Sequence, residues 1–309
     1  MRKSYRILIV IAFLASNTAH ADLNLKLYAE LNLSYDWMEH GDDDWQSNVT
    51  RLGLKGEYNI KEDWDVIFQA EELVDPIHGG NEIQELFGTR NTFIGIGSRY
   101  GNFMFGAHDS AFKMAQGKID LFNDQAGDIG VLFPGEVRAL DTYFYHSPKA
   151  SGFQGQVMYV PSDSNFSSSQ SASVLWDTGD WFASFGLDHD MRKNNRSTAS
   201  TKVFDSYRSA IQYTPGAWKF GFLVQRSRPK NESAAGWEAG YLGSVSYTVG
   251  SVTLMAQHGE SDIYAKGITS DNLGIHYNFT RKRKVYLYYW DYNAPTDREI
   301  LSLGFELKF

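Results

Sequence analysis

The side chains in this sequence that could make or break bonds are plentiful, but they do not stand in working arrangements. There are no cysteines, which removes thiolate nucleophiles, thiolate metal sites and disulfides together. Eight histidines are scattered without the HExxH spacing of a zinc-binding helix. Glu71 and Glu72 look like a carboxylate pair, but neighbours on a strand point to opposite faces and cannot share a site. The same rule separates His108, Asp109 and Ser110, the nearest approach to an activated serine. Asp42-Asp43-Asp44 falls in a polar connection, as a solvated or divalent-bridged tip, and Gly95-Ile96-Gly97 falls short of a dinucleotide fingerprint. What remains is charge that could act without covalent chemistry: arginines and carboxylates spread along the chain.

Placing such charges takes elements with two unlike faces, and the chain is rich in them. From Leu23 to Trp37 apolar and polar residues alternate strictly, with Leu25, Leu27, Leu31 and Leu33 on one face and Asn24, Lys26, Glu30 and Asn32 on the other. Segments of the same kind recur to the last one, 299–309, where Leu301, Leu303, Phe305, Leu307 and Phe309 alternate with Ser302, Gly304, Glu306 and Lys308. The spacing predicts sixteen strands, an even number as a closed antiparallel barrel in a membrane requires, with one face to lipid and one to water. A water-soluble antiparallel sandwich also alternates, but its closed core could not take an aromatic-rich face from nearly every strand. Connections alternate too: short after even-numbered strands, as at Arg99-Tyr100-Gly101 and Pro215-Gly216-Ala217, and longer between, as at 75–89 and 191–204. The longest, Ser110 to Val137, holds Phe112, Ile119, Phe122 and Phe133, too apolar to stand in solvent, and is expected to fold inward and narrow the bore.

Strand parity then selects the charges. Leu52, Leu54 and Tyr58 facing lipid turn Arg51, Lys55 and Glu57 inward, Phe93 outside turns Arg90 inward, and Tyr143 with Tyr145 outside turns Arg138 inward. At the amino terminus Arg2, Lys3 and Arg6 precede an apolar run from Ile7 to Ala15 and an Ala19-His20-Ala21 cleavage pattern, so residues 1–21 are expected to be a secretory signal peptide and 22–309 the barrel. Losing three cations and no acid takes the formal charge from −8 to −11, which argues against nucleic acid as a partner. Arg281-Lys282-Arg283-Lys284 is basic but reads as a short hairpin turn.

The sequence resembles the general diffusion porins of Gram-negative outer membranes, above all the trimeric, sixteen-stranded kind whose third external loop enters the pore. The resemblance is carried by LKLYAELNLSY, TRLGLKGEY, TRNTFIGIGSRYGNFMFG, RALDTYFYHSPKASGFQGQVMY and YNFTRKRKVYLYYWDY, in that order and spacing. It implies an all-β transmembrane barrel without cofactor or metal that passes ions and small hydrophilic solutes passively. It further implies a homotrimer set among outer-membrane lipids and inserted by the barrel assembly machinery. By position, Arg51, Arg90 and Arg138 match the basic side of the family's constriction, and Asp120, Asp124, Asp128 and Glu136 on the long connection are candidates for its acidic side. Glu30 stands where the family often has Lys, Ala107 follows the Gly that usually precedes an Arg, and the Pro-Glu-Phe-Gly-Gly loop signature is reduced to Phe133-Pro134-Gly135-Glu136. The transverse field is therefore expected to be weaker on its basic side. The alternatives are a sugar-selective channel of the same fold, with Tyr28, Phe144 and Tyr286 as inward aromatics, and a barrel enzyme.

Overall fold

The computed structural model describes residues 23–78, 87–164, 166–192, 202–230, 236–293 and 298–309. The expected signal peptide lies outside them, as do parts of five of the connections between strands. The strands run β1 (Leu23–Met38), β2 (Asp44–Ser47, resumed at Arg51–Lys61), β3 (Trp64–Val74), β4 (Phe87–Thr89, resumed at Thr92–Ser98), β5 (Gly101–Asp109) and β6 (Arg138–His146). They continue as β7 (Phe153–Val160), β8 (Ser169–Asp177), β9 (Trp181–Arg192), β10 (Val203–Tyr213) and β11 (Trp218–Pro229). The last five are β12 (Glu238–Val249), β13 (Val252–Ser261), β14 (Ile268–Thr280), β15 (Arg283–Tyr292) and β16 (Arg298–Lys308). Each pairs antiparallel with the next, and β16 pairs with β1 from Glu30↔Lys308 to Met38↔Ile300, so the sheet closes into the expected sixteen-stranded barrel.

Its polarity is the reverse of a water-soluble protein's. Large apolar side chains stand outside, among them Leu27 (72% exposed), Ile94, Phe103, Phe185, Leu273 and Leu303. Polar ones are buried on the opposite face: Ser34, Ser171, Arg208, Gln225, Ser227 and Ser302 are all under 2% exposed. Water would penalise such an exterior, whereas hydrocarbon favours it. Closure matters equally, because an open sheet edge in lipid leaves a row of backbone groups without partners. The short turns fall where the spacing predicts; Gly101, at φ +117°, takes a backbone conformation that a side chain disfavours, in the tight link from β4 to β5.

Two of the breaks in the ladder bear on the site, and alternation alone does not reveal them. Between Glu72↔Thr89 and Gln69↔Phe93, β4 has one residue more than β3, a bulge at Arg90–Thr92. Parity flips across it. Phe93 therefore lies on the inner face, packed with His108, and Ile94 and Ile96 lie outside, the reverse of the sequence expectation. Arg90 still reaches inner-face Glu71, because the flip cancels the error. A second bulge lies on β6 at Leu140–Asp141, where Asp141 has φ +55° and two residues stand opposite Ala107 of β5. As a result Ala139, rather than Arg138, shares a face with Phe144.

The exterior can be tested directly. Leu303, 51% exposed on β16, is changed to Arg and to Ala and folding into lipid vesicles is titrated with denaturant. A lipid-facing site near mid-depth predicts a loss of about 2–4 kcal/mol for L303R. A water-facing site would tolerate either change to within about 0.5 kcal/mol, and that result would refute the membrane exterior.

Candidate functional site

The segment between β5 and β6 opens with one helical turn, α1 (Ala111–Met114), capped by Ser110, whose Oγ accepts from Lys113 N at 3.0 Å. It then runs along the inner-face residues of successive strands. Phe112 N donates to Ser171 Oγ on β8 at 2.9 Å, Ser184 on β9 donates to the Ala115 carbonyl, and Leu121 N donates to Gln257 Oε1 on β13 at 2.9 Å. Phe122 meets Tyr288 and Trp290 of β15 edge-on, at ring distances of 5.3 and 6.5 Å. Gly127 lies so close to Trp290 and Asn272 that a side chain there would run into both. On the return, Gln225 Nε2 on β11 donates to the Pro134 carbonyl at 2.7 Å.

Apolar burial supplies most of the grip. Phe112, Ile119, Phe122 and Phe133 are all at 0% exposure, and each such side chain contributes about 1.5–3 kcal/mol. Beneath them the strands are cut away to receive them: Gly186 under Ala115 and Phe112, Gly240 under Phe133, and Gly259 under Leu132. The inner-face aromatics are consumed by this packing. Tyr286, Tyr288 and Trp290 form a ladder on β15, each no more than 2% exposed, and Phe144 is 1% exposed. Tyr28 is tied by its hydroxyl to Glu71 Oε2 at 2.8 Å.

The charges form a chain of pairs around the tip. On β2, Arg51 Nη2 meets Glu30 Oε2 of β1 at 2.5 Å, and Arg90 Nε meets Glu71 Oε1 at 2.8 Å. Asp124, at the loop tip, lies 3.8 Å from Arg51 Nη1 and 3.8 Å from Arg90 Nη2 through one oxygen, Oδ2. Arg138 sits beside them in a cluster of its own, 2.8 Å from Asp109 and 2.7 Å from Asn91 Oδ1. Glu136 pairs with Lys113 at 3.2 Å and with fully buried Arg208 of β10 at 3.3 Å. Burial pushes the Lys113 ammonium down, but Glu136, Asp109 and Asp124 outweigh it and hold it above the ordinary lysine value.

Asp120 and Asp128 have a different task from Asp124. Asp120 accepts from Phe122 N at 3.0 Å and Ile129 N at 2.9 Å, and Asp128 accepts from Gly130 N at 2.7 Å and Asp124 N at 2.9 Å. They hold the loop's own backbone in its turns. Burial lifts the Asp120 carboxyl to about 6, and burial together with the charges of Asp120 and Glu136 lifts Asp128 to about 8. Of the eight site residues expected from sequence, Arg51, Arg90, Asp124 and Glu30 come together directly. Arg138 and Glu136 join at one remove, through Asp109 and Lys113. Glu71, Asp109, Lys113 and Arg208 were missed. Glu71 was set aside as half of a false carboxylate pair, and only the β3–β4 register shows that its partner is Arg90; Arg208 was open to detection by parity with exposed Tyr207.

The residues nearest to an enzyme site are otherwise engaged. His108 Nδ1 bonds the Asp109 carbonyl at 2.9 Å, and Ser110 Oγ accepts from Lys113 N at the start of α1.

Comparison with known proteins follows the geometry. The family model of the Gram-negative porins matches residues 8–295. Major outer membrane protein P.IA of Neisseria meningitidis serogroup A is 27% identical over 213 residues, 63% of this chain and 47% of that protein. The chain thus spans about half the length of the curated relatives it matches. Among solved structures, an anion-selective porin from Comamonas acidovorans superposes with a TM-score of 0.74 at 16% identity, covering 93% of this chain and 100% of that one. The trimer form of OmpT from Vibrio cholerae gives 0.70 at 15% identity, with the same coverage. A closed barrel with an apolar exterior, matched by the family model along almost its whole length, belongs to the Gram-negative porin family of the outer membrane.

Proposed function

We propose that the chain forms a water-filled channel through which ions and small hydrophilic solutes diffuse passively across the outer membrane. The segment 110–137 lies in the lumen as its narrowest part. The observation that carries this reading is Asp124, set on that segment yet 3.8 Å from two wall arginines. The segment also contacts inner-face residues from β8 round to β15, which supports a course through the lumen rather than over its rim. Sixteen strands enclose a space too wide for strand side chains alone to fill. The channel is a sieve rather than a sugar track, because Phe144 and Tyr286 are buried and Tyr28 is held by Glu71, which leaves a solute no continuous aromatic surface.

The field at the tip is modest. Arg51 is matched by Glu30, Arg90 by Glu71 and Arg138 by Asp109, so Asp124 adds an acid where the basic side is already compensated. The Asp124 contacts are about one quarter exposed and are worth at most about 1 kcal/mol. They orient charge without holding the loop, whose buried side chains do that. A weak cation preference follows. The apolar exterior and the trimeric form of the V. cholerae relative support a homotrimer, and a barrel with such an exterior cannot close in water, which supports insertion by the barrel assembly machinery.

Liposome swelling with solutes of graded mass tests the reading: rates fall smoothly with size for a sieve, and saturation by one sugar would replace it with a selective channel. Under a salt gradient, Asp124→Asn moves the reversal potential toward anions, and Arg51→Ala moves it toward cations by more than Arg90→Ala does, because Arg51 is the more exposed (25% against 9%). Equal potentials for all three variants would remove these residues from the narrow point. Planar-bilayer insertions are expected to close in three steps; a single indivisible conductance would exclude the trimer.

A further inference from the structure

Beyond the charged tip, the loop and the wall enclose a second space. A cavity of about 620 Å³ lies between loop residues 117–123 and the inner wall near the short turn joining β10 to β11. Lys118, Lys219, Ser246, Thr248, Thr253 and His276 line it. Lys219 is on β11 between Trp218 and Phe220, which point outward at 45% exposure each, so its ammonium belongs to the inner face.

The charge in this cavity is unbalanced. Lys113, Lys284 and Lys308 each have a carboxylate at 2.8–3.7 Å. Among the described residues neither Lys118 nor Lys219 has one, and both line the same cavity. The one carboxylate in the lining, Asp120, is already engaged: Oδ1 takes Phe122 N and Gln257 Nε2 at 3.0 and 3.1 Å, and Oδ2 takes Ile129 N at 2.9 Å. Thr248 and Thr253 share one hydroxyl bond at 3.0 Å, and the His276 ring is 3.3 Å from the Tyr288 hydroxyl. Two cations without a carboxylate partner on one cavity, the exposed Lys118 and the half-buried Lys219, with hydroxyls beside them, suit an anion with more than one charged oxygen.

We propose that Lys118 and Lys219, with the hydroxyls of Ser246 and Thr248, form a binding subsite for small multivalent oxyanions of the phosphate or polycarboxylate class. It is separate from the Arg51–Arg90–Asp124 cluster. The proposal rests on the channel reading only for the route by which the anion arrives, since the cavity belongs to the folded barrel whether or not it conducts.

Calorimetry on the full, detergent-solubilised protein at low ionic strength, with inorganic phosphate and with citrate as probes, tests it. Saturable binding of at least one probe is expected, and Lys118→Gln and Lys219→Gln should each weaken it about tenfold, the loss of one charge-assisted contact. Lys219→Arg keeps the charge and should retain binding, which separates loss of the site from loss of the fold. Lys266→Gln, at an exposed position away from the cavity, should leave binding unchanged. No saturable binding of either probe, or equal weakening by Lys266→Gln, would overturn the proposal. Potassium chloride conductance of the same variants reports separately on the channel.

Discussion

The constraint from which the rest of this structure follows is that each strand must find hydrogen-bond partners on both sides in a medium that offers none. Only a closed ring of strands does this, and closing sixteen of them fixes a cylinder wider than its own side chains can fill. Its outside is decided by the hydrocarbon and its inside by water. The alternation of LSLGFELKF, with leucines and phenylalanines set against Ser302, Gly304 and Glu306, is that double requirement written into one strand.

The segment after β5 answers the surplus of space. Its apolar residues are a small core that the barrel does not otherwise possess, and the wall is shaped to receive them through glycines on β9, β12 and β13. Because packing carries the loop, its charged tip is free of structural duty. Asp124 is thus placed by Phe122 and Gly127 against Trp290, and not by its own ion pairs. Inner-face aromatic residues Tyr288 and Trp290 thereby serve as a floor for the segment.

Period-two patterning made the strand number, their limits to within a few residues, and the short turns legible from sequence, because each face of a membrane strand meets one uniform environment. It failed where the ladder is irregular. The bulge at Arg90–Thr92 reverses the faces of β4, and no residue type announces it; Arg90 and Phe93 consequently both turn to the inner face. The site was half legible. Arg51 and Asp124 can be named from parity and position, but the duties of Asp120 and Asp128 depend on which backbone amides surround them, which a one-dimensional pattern does not contain. Arg208 shows the same limit from the other side: the acid it meets, Glu136, lies 72 positions away in the chain.

The seam between β1 and β16 has a bearing on how the molecule comes into being. Tyr286 donates to Asn32 at 2.8 Å, and Asp36 accepts from Ser302, so contacts that complete the first strand come from residues made some 250 positions later. Until the final hairpin arrives, the nascent sheet has two bare margins and a greasy back, each a template for the wrong neighbour. Pairing of β1 with β16 is consequently the step that removes both margins at once.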